Sequence, residues 1–211
     1  MKAVFFDFDG TLRRGDSILS CMAYALKKRR MSPADLMAAA GAGILYALKR
    51  ISVETLKERC LRFEKRMDDD ALERFARSFT ADCLMPGLLP EGLRQWRRLK
   101  AGGTLTVLVS ASTSDYMIPL GEALGADDVI CTEMKDRRVL KNCRGQEKAD
   151  RVRSWAAQRK IDLKTCGACG NSRGDLEMLA LVGSPLVIDP GRKMLKAARE
   201  KGYPVESWRK T

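Results

Sequence analysis

The sequence predicts an α/β protein: a doubly wound, mostly parallel sheet, interrupted after its first strand by an all-helical insertion. Three observations carry that expectation. From Pro86 onward, short apolar runs alternate with amphipathic helical segments, which is the grammar of repeated β-α units around a sheet buried on both faces. One further apolar run, residues 3–6, stands alone at the N-terminus. Between it and the next strand the hydrophobic spacing is helical throughout. The expected division is a core domain of residues 1–12 and 85–211 and an inserted helical cap domain of residues 13–84.

Taken in order, residues 3–6 read as a buried strand because they form a short apolar run broken by Asp7. After Gly15, either Asp16 or Ser17 can cap a first helix that ends in the basic run 27–30, and Ser32-Pro33 supplies the cap and first-turn proline of a second. A third helix is expected over residues 53–67, with Leu56, Cys60, Leu61 and Met67 near one face. A fourth follows Asp68-Asp69-Asp70, whose charges suit the positive end of a helix dipole, and it places Leu72, Phe75, Ala76 and Phe79 together. Residues 91–100 read as a helix stopped at Gly102-Gly103, residues 104–109 as a strand, and residues 115–124 as a helix closed by Gly125. Strands are expected again near 129–132, 165–169 and 185–188, alternating with helices over 147–158, 175–181 and 192–201.

Composition narrows the chemistry. The net charge of +12, from 39 Lys and Arg against 27 Asp and Glu, favours anionic partners without choosing among metabolites, lipids and nucleic acid. Aromatic residues make up only 6% and do not interleave with the basic ones, which argues against nucleic acid. Histidine is absent, so no Ser-His-Asp triad, Cys-His pair or His-ligated zinc site exists here. The seven cysteines are scattered and odd in number, as expected of reduced thiols in a cytoplasmic protein. Cys166-Gly-Ala-Cys169 has redox-motif spacing, but no second pair completes a zinc site, and packing is the expected role. The chain runs straight into strand, so no secretory leader is expected. The longest apolar stretch, the 13 residues 36–48, is shorter than the roughly 20 a membrane-spanning helix needs. Its expected place is inside the helical bundle; its basic flanks, 27–30 and Lys49-Arg50, offer the alternative of resting on an anionic membrane surface.

Asp7 and Asp9 carry the most information. Ionised carboxylates at the end of a buried strand are costly unless something pairs with them, so packing does not explain them. One can serve as nucleophile or metal ligand while its neighbour two residues on passes a proton. Ligands of open α/β sheets bind at the carboxyl ends of strands. Three more loops at that edge hold unusual residues: Ser110-Ala111-Ser112, Lys148 at a helix start, and Gly170-Asn171-Ser172-Arg173-Gly174-Asp175.

These four motifs, in this order, resemble the haloacid dehalogenase (HAD) superfamily, specifically the branch that holds phosphoserine phosphatase and related small phosphatases with a helical cap. The motifs are Asp-Phe-Asp-Gly-Thr at 7–11, Val-Ser-Ala-Ser at 109–112, Gly-Gln-Glu-Lys ending at Lys148, and Gly-Asn-Ser-Arg-Gly-Asp at 170–175, and the resemblance extends over essentially the whole chain. It implies a HAD-like, Rossmann-type core and a Mg²⁺-dependent phosphatase that hydrolyses a phosphomonoester through an aspartyl phosphate. In that scheme Asp7 attacks phosphorus, and Asp9 protonates the leaving oxygen and then activates water. Ser110 and the backbone N–H of Ala111 hold phosphoryl oxygens, with Thr11 either beside them or capping a local turn. Lys148 offsets the charge of Asp7 and the phosphate. Mg²⁺ is held by Asp7, the carbonyl of Asp9 and the fourth motif, through Asn171 and Asp175. Asp16 falls where phosphoserine phosphatases carry an acid that contacts the substrate amino group, although it is equally placed to cap the first helix. One departure stands out: most members of the resembled family begin the fourth motif Gly-Asp, and this chain has Gly170-Asn171, a neutral amide.

Within the resembled superfamily, the acid at Asp9 points to a phosphatase or phosphomutase rather than a dehalogenase or transport ATPase, and the resembled branch favours the phosphatase. The implied partner is a phosphorylated small molecule or a lipid phosphate, the latter in a membrane-surface, phosphatidylglycerophosphatase-like enzyme with peripheral contact at the inner face of the membrane. A catalytically weak basic binding protein on the same fold is the alternative from a different class. The sequence sets no oligomeric state.

Overall fold

The structure is a computed structural model and describes residues 1–209. β1 (Ala3–Asp7) is followed by α1 (Ser17–Lys27), α2 (Pro33–Ala47), α3 (Val53–Cys60), a 3₁₀ turn (Arg62–Arg66), α4 (Asp69–Phe79) and a π turn (Thr80–Leu84). Then come α5 (Pro90–Ala101), β2 (Leu105–Thr113), α6 (Ser114–Leu124), β3 (Asp128–Thr132), β4 (Met134–Lys135), β5 (Arg138–Val139) and α7 (Gln146–Gln158). β6 (Gly167–Gly170), α8 (Leu176–Leu179), β7 (Ser184–Ile188), α9 (Arg192–Glu200) and β8 (Val205–Glu206) complete the described chain.

Six strands form one parallel sheet in the order β3-β2-β1-β6-β7-β8. β1 is central because its five residues are all buried, and a strand apolar on both sides needs helices over both faces. Its alternation shows this directly: the Phe5 ring meets Trp155 of α7 edge-on at 5.3 Å, while Phe6 turns to the other face and meets Trp96 of α5 at 5.0 Å. The strand order reverses around β1, so the crevice for a ligand opens at its carboxyl end. Between β1 and β2 the chain is helical, as expected. α4 anchors this insertion: Phe75 and Phe79 pack with Tyr24 of α1, and Phe79 also meets Tyr116 of α6 at 5.4 Å.

Several expectations are corrected. The third helix does not run to Met67; it ends at Cys60 and tightens into the 3₁₀ turn, which buries both Phe63 and Glu64. The helix expected over 175–181 is a 3₁₀ turn (Arg173–Asp175) followed by the single turn of α8, because Asp175 folds back to cap Ser172. The β4–β5 hairpin was hidden because its turn uses Asp136 and Arg137 at positive φ rather than the Asn-Gly or Gly that normally announces one. β8 is only two residues long. Helix α2 is not buried all round: it buries Asp35, Ala39 and Ala42, while Met37, Ile44 and Leu48 are 73%, 64% and 64% exposed. No helix of the described residues is long and apolar enough to cross a membrane. Cys166 and Cys169 are buried free thiols, and burial pushes the Cys169 thiol well up, as packing requires.

One buried pair ties the insertion to the core. Glu64, 1% exposed, faces Asp115 in the first turn of α6, and neither Glu64 Oε2 nor Asp115 Oδ2 meets any other donor. Burial, then the Asp115 charge and the hydrogen bond between the two carboxyls, push Glu64 well above its ordinary value, so Glu64 carries the shared proton. Below the ordinary value of 4.5 the folded and unfolded chains both hold that proton. As pH rises, the unfolded group ionises first and stability falls by about 1.4 kcal/mol per pH unit. Glu64→Gln keeps a donor toward Asp115 without the titration. It is expected to leave stability nearly unchanged near pH 4.5 and to raise Tm at pH 7 by several degrees. Equal shifts in thermal melts at both pH values would place the proton elsewhere.

Candidate active site

Three parallel strand ends bring the site together. Asp7 lies level with Val109 in the β1–β2 register, so Ser110 comes one residue later, and Phe6 lies level with Cys169, so Gly170 and Asn171 follow on the other side. β2 then breaks register with β3 between Val109 and Thr113, a bulge that takes Ser110-Ala111-Ser112 out of the ladder beside the site. After Asp7 the carbonyl of Phe8 accepts from the N–H groups of Thr11, Leu12 and Arg13, a tight turn that returns the chain over the sheet edge. Gly10 in that turn has φ +87° and faces the Asn171 amide so closely that a Cβ there would lie 1.8 Å from Asn171 Nδ2. Glycine is required both by conformation and by contact.

Lys148, in the first turn of α7 and 1% exposed, donates from Nζ to Asp7 Oδ1 at 2.7 Å and to Asp175 Oδ1 at 2.6 Å. The other oxygen of Asp7 accepts from Thr11 Oγ1 at 2.8 Å. Asp175 Oδ2 accepts from Ser172 N–H at 2.9 Å, Ser172 Oγ at 2.8 Å and Asn171 N–H at 3.3 Å. Thr11 is thus fully buried with its hydroxyl on the Asp7 carboxylate, and Asp175 is occupied in holding Lys148 and its own loop. Burial raises Asp7 to about 7; Asp175 adds to the rise and Lys148 opposes it. Burial alone would lower Lys148, but Asp175 and Asp7 more than reverse that and hold it protonated. For Asp175 the cost of burial is outweighed by Lys148, and it stays ionised.

Asp9 is held separately. Its Oδ1 accepts from Ser17 N–H at 2.9 Å, and its Oδ2 accepts from Ser17 Oγ at 2.7 Å and Ser112 Oγ at 2.8 Å. Burial raises it to about 6 against those hydrogen bonds, which leaves it able to give and take a proton near neutrality. Ser110 Oγ accepts from Ser112 N–H at 3.0 Å. Asp16 is the N-cap of α1, with Oδ1 accepting from Ile18 and Leu19 N–H, and it also lines the cavity.

Two site residues escaped sequence reasoning. Ser17 orients Asp9, and no spacing announces it. Lys57 of α3, 7% exposed, donates from Nζ to the Ala111 carbonyl and Asn142 Oδ1, so a cation from the insertion rests on the phosphate-loop candidate. Burial lowers it to about 8. Its signal was present: Lys57 shares a helix face with Cys60 and Leu61, an odd place for a solvated lysine.

Asp7, Asp9, Ser110, Ala111, Lys148, Asn171, Asp175, Asp16 and Lys57 all border one cavity of about 770 Å³. Among the described residues no cluster of three or more His, Cys, Asp and Glu forms a ready metal site. The donor set nevertheless fits a hard divalent cation: Asp7 and Asp175 share one ammonium, which leaves the buried site one positive charge short, and the Asn171 amide stands against the Gly10 turn beside them.

Comparison with known proteins agrees with this geometry. Residues 4–180 match the model of the haloacid dehalogenase-like hydrolases. The chain is 33% identical over 193 residues to protein CicA of Caulobacter vibrioides, covering 84% of this chain and 82% of that one. It is 26% identical over 212 residues to a histidinol-phosphatase of Neisseria meningitidis, covering 95% and 96%. A solved structure from Bordetella pertussis Tohama I, of unknown function, superposes with a TM-score of 0.88 at 22% identity over 98% of each chain, and solved phosphoserine phosphatases share the fold. With the family model spanning most of the chain, the protein belongs to the haloacid dehalogenase-like hydrolases.

Proposed function

We propose that this protein is a Mg²⁺-dependent phosphatase that hydrolyses a phosphomonoester through an aspartyl phosphate on Asp7. The observation that carries this reading is the buried Asp7–Lys148–Asp175 bridge beside a separately held Asp9. The first carboxylate is fixed and charge-compensated as a nucleophile must be; the second is poised near pH 6 as an acid–base must be. The phosphatase-named relative supports the same chemistry.

Asp7 attacks phosphorus, the bond to the alcohol oxygen breaks, and that oxygen takes the proton of Asp9. Asp9, now ionised, accepts a proton from the water that attacks the acyl phosphate, releasing inorganic phosphate and restoring Asp7 as a carboxylate and Asp9 as the acid. Thr11 and Lys148 hold the Asp7 carboxylate in place; Ser17 and Ser112 hold Asp9. Ser110 and the Ala111 N–H meet the phosphoryl oxygens. Asp7, the Asp9 carbonyl and Asn171 would hold Mg²⁺, which supplies the missing positive charge against the phosphoryl oxygens. Residues 13–84 act as the cap that keeps bulk water from the site, on a core of residues 1–12 and 85–211. The free thiols suit a cytoplasmic setting.

Phosphate release from a panel of phosphomonoesters, measured with Mg²⁺ and with EDTA, tests the reading. Release with Mg²⁺ only, with a hydroxylamine-labile phosphoprotein on acid quench, is expected; neither signal across the panel would instead favour the binding-protein reading. Because an amide attracts Mg²⁺ less than a carboxylate, Asn171→Asp is expected to lower the Mg²⁺ concentration for half-maximal activity by roughly tenfold. An unchanged Mg²⁺ titration would remove Asn171 from the metal site.

A further inference from the structure

We propose that the alcohol half of the substrate is a long apolar chain, so that the site takes a phosphomonoester carrying a single alkyl or acyl tail. This rests on the phosphatase reading and adds what the cavity above the carboxylates accepts. The polar groups of that cavity gather at one end, at the edge of the sheet: Asp7, Asp9, Ser110, Lys148 and Asn171. Its walls come mostly from the insertion and are mostly apolar: Ile18 and Met22 from α1, Leu36, Ala39 and Gly43 from α2, and Leu56 from α3. Positions 36, 39 and 43 recur at helical spacing, so one stripe of α2 borders the cavity, with Ala39 buried at its back and Leu36 and Gly43 exposed at its mouth.

A phosphorylated amino alcohol or amino acid would need charged partners on those walls; the insertion offers two, and both already hold local contacts. Asp16 caps α1, and Lys57 donates to the Ala111 carbonyl and Asn142. Arg144 and Arg209 stand at the exposed rim. The volume of about 770 Å³ falls in the range of cavities that enclose drug-sized ligands, roughly 300–1,000 Å³, far beyond the needs of a phosphorylated three-carbon alcohol. The apolar wall also runs out to the surface: Leu19, Leu36 and Tyr46 line the cavity yet are 64%, 44% and 42% exposed, so a tail longer than the cavity leaves along apolar side chains.

Gly43 makes the idea testable. Glycine weakens a helix interior, and Gly43 borders the cavity at an exposed position where a Cβ would meet nothing within 4 Å, so a larger side chain there has room to reach into the cavity mouth. Gly41 is equally unobstructed but lies about 200° around the helix, on the side of Met37, Ile44 and Leu48.

The experiment compares ethyl, butyl and octyl phosphate below their micellar concentrations, with lysophosphatidate in neutral vesicles as a second arm, and measures binding of ethyl- and octylphosphonate, which cannot be hydrolysed. Octyl phosphate is expected to exceed ethyl phosphate in kcat/KM by on the order of 10²-fold, and octylphosphonate to bind correspondingly tighter. Gly43→Leu is expected to cut both gains at least tenfold, and Gly41→Leu to preserve them, with unchanged melting temperatures as the folding control. A gain confined to the vesicle arm supports the same chain chemistry with a bilayer as its source. Phosphate release with no dependence on chain length, or an equal loss in both glycine variants, overturns the inference and leaves the phosphatase standing. Tighter octylphosphonate binding without release of phosphate from any substrate has the opposite meaning: the cavity is assigned and the chemistry is not.

Discussion

Asp7→Asn is expected to lower phosphate release by roughly 10⁴-fold or more while leaving the fold intact, because it removes the nucleophile and replaces a buried anion by an amide of the same shape. Thr11 Oγ1 and Lys148 Nζ, at 2.8 and 2.7 Å, both still find an acceptor in the amide oxygen or in Asp175. Asp9→Asn separates the two half-reactions. With p-nitrophenyl phosphate the leaving group needs no proton, so the variant is expected to release a burst approaching one equivalent of p-nitrophenol and then stall, since no base activates water. With an alkyl phosphate the first step itself slows by about 10²–10⁴-fold. Rapid-quench trapping distinguishes the variants: a phosphoprotein accumulates in Asp9→Asn and is absent from Asp7→Asn. A phosphoprotein in Asp7→Asn would move the nucleophile to another residue.

The parts of this machine that were legible in the sequence share a cause. β1 and its two carboxylates could be read because an apolar run ending in Asp7 and Asp9 has no packing explanation, and Ser110, Lys148 and Asp175 because each follows a strand or opens a helix at the same sheet edge. Order along the chain then translates into proximity, since parallel strands place all their carboxyl ends together. What stayed hidden depends on tertiary contact instead. Ser17 was visible only as one of two capping candidates; Asp16 takes the cap, and Ser17 turns its N–H and hydroxyl to Asp9. Lys57 sits on the apolar face of α3, which marks it as unusual, but its partner at the Ala111 bulge is set by tertiary contact. The exposed side of α2 was misread for the opposite reason: a helix apolar all round looks buried, but its small residues Ala39 and Ala42 face inward and its large ones face out. Backbone strain hid the β4–β5 turn, where Asp136 and Arg137 take a conformation usually left to glycine.

Lys148→Met tests the charge count beneath the reaction. The ammonium is the shared partner of Asp7 Oδ1 and Asp175 Oδ1, and all three side chains are nearly inaccessible. Methionine fills the same space without charge, so the variant leaves two buried carboxylates facing each other. The expected cost in stability is about 3–5 kcal/mol at neutral pH, the usual result of breaking a buried pair by removing one member. The expected loss in kcat/KM is about 10²–10³-fold, from unscreened charge on the nucleophile and phosphate. The sign with pH follows from Asp7. Its value already lies above the ordinary 3.8 because of burial and then Asp175, and without Lys148 it rises further. A carboxyl raised in the folded state has its full stability at pH below its unfolded value and loses it as pH increases. The destabilisation of Lys148→Met is therefore expected to be smaller at pH 5 than at pH 8. It should also shrink in the double variant with Asp7→Asn, where only one buried carboxylate remains to be left unpaired. Denaturant titrations of the four proteins at both pH values measure this directly. An additive, pH-independent loss would show that Lys148 contributes packing alone and that the site balances its charge by other means.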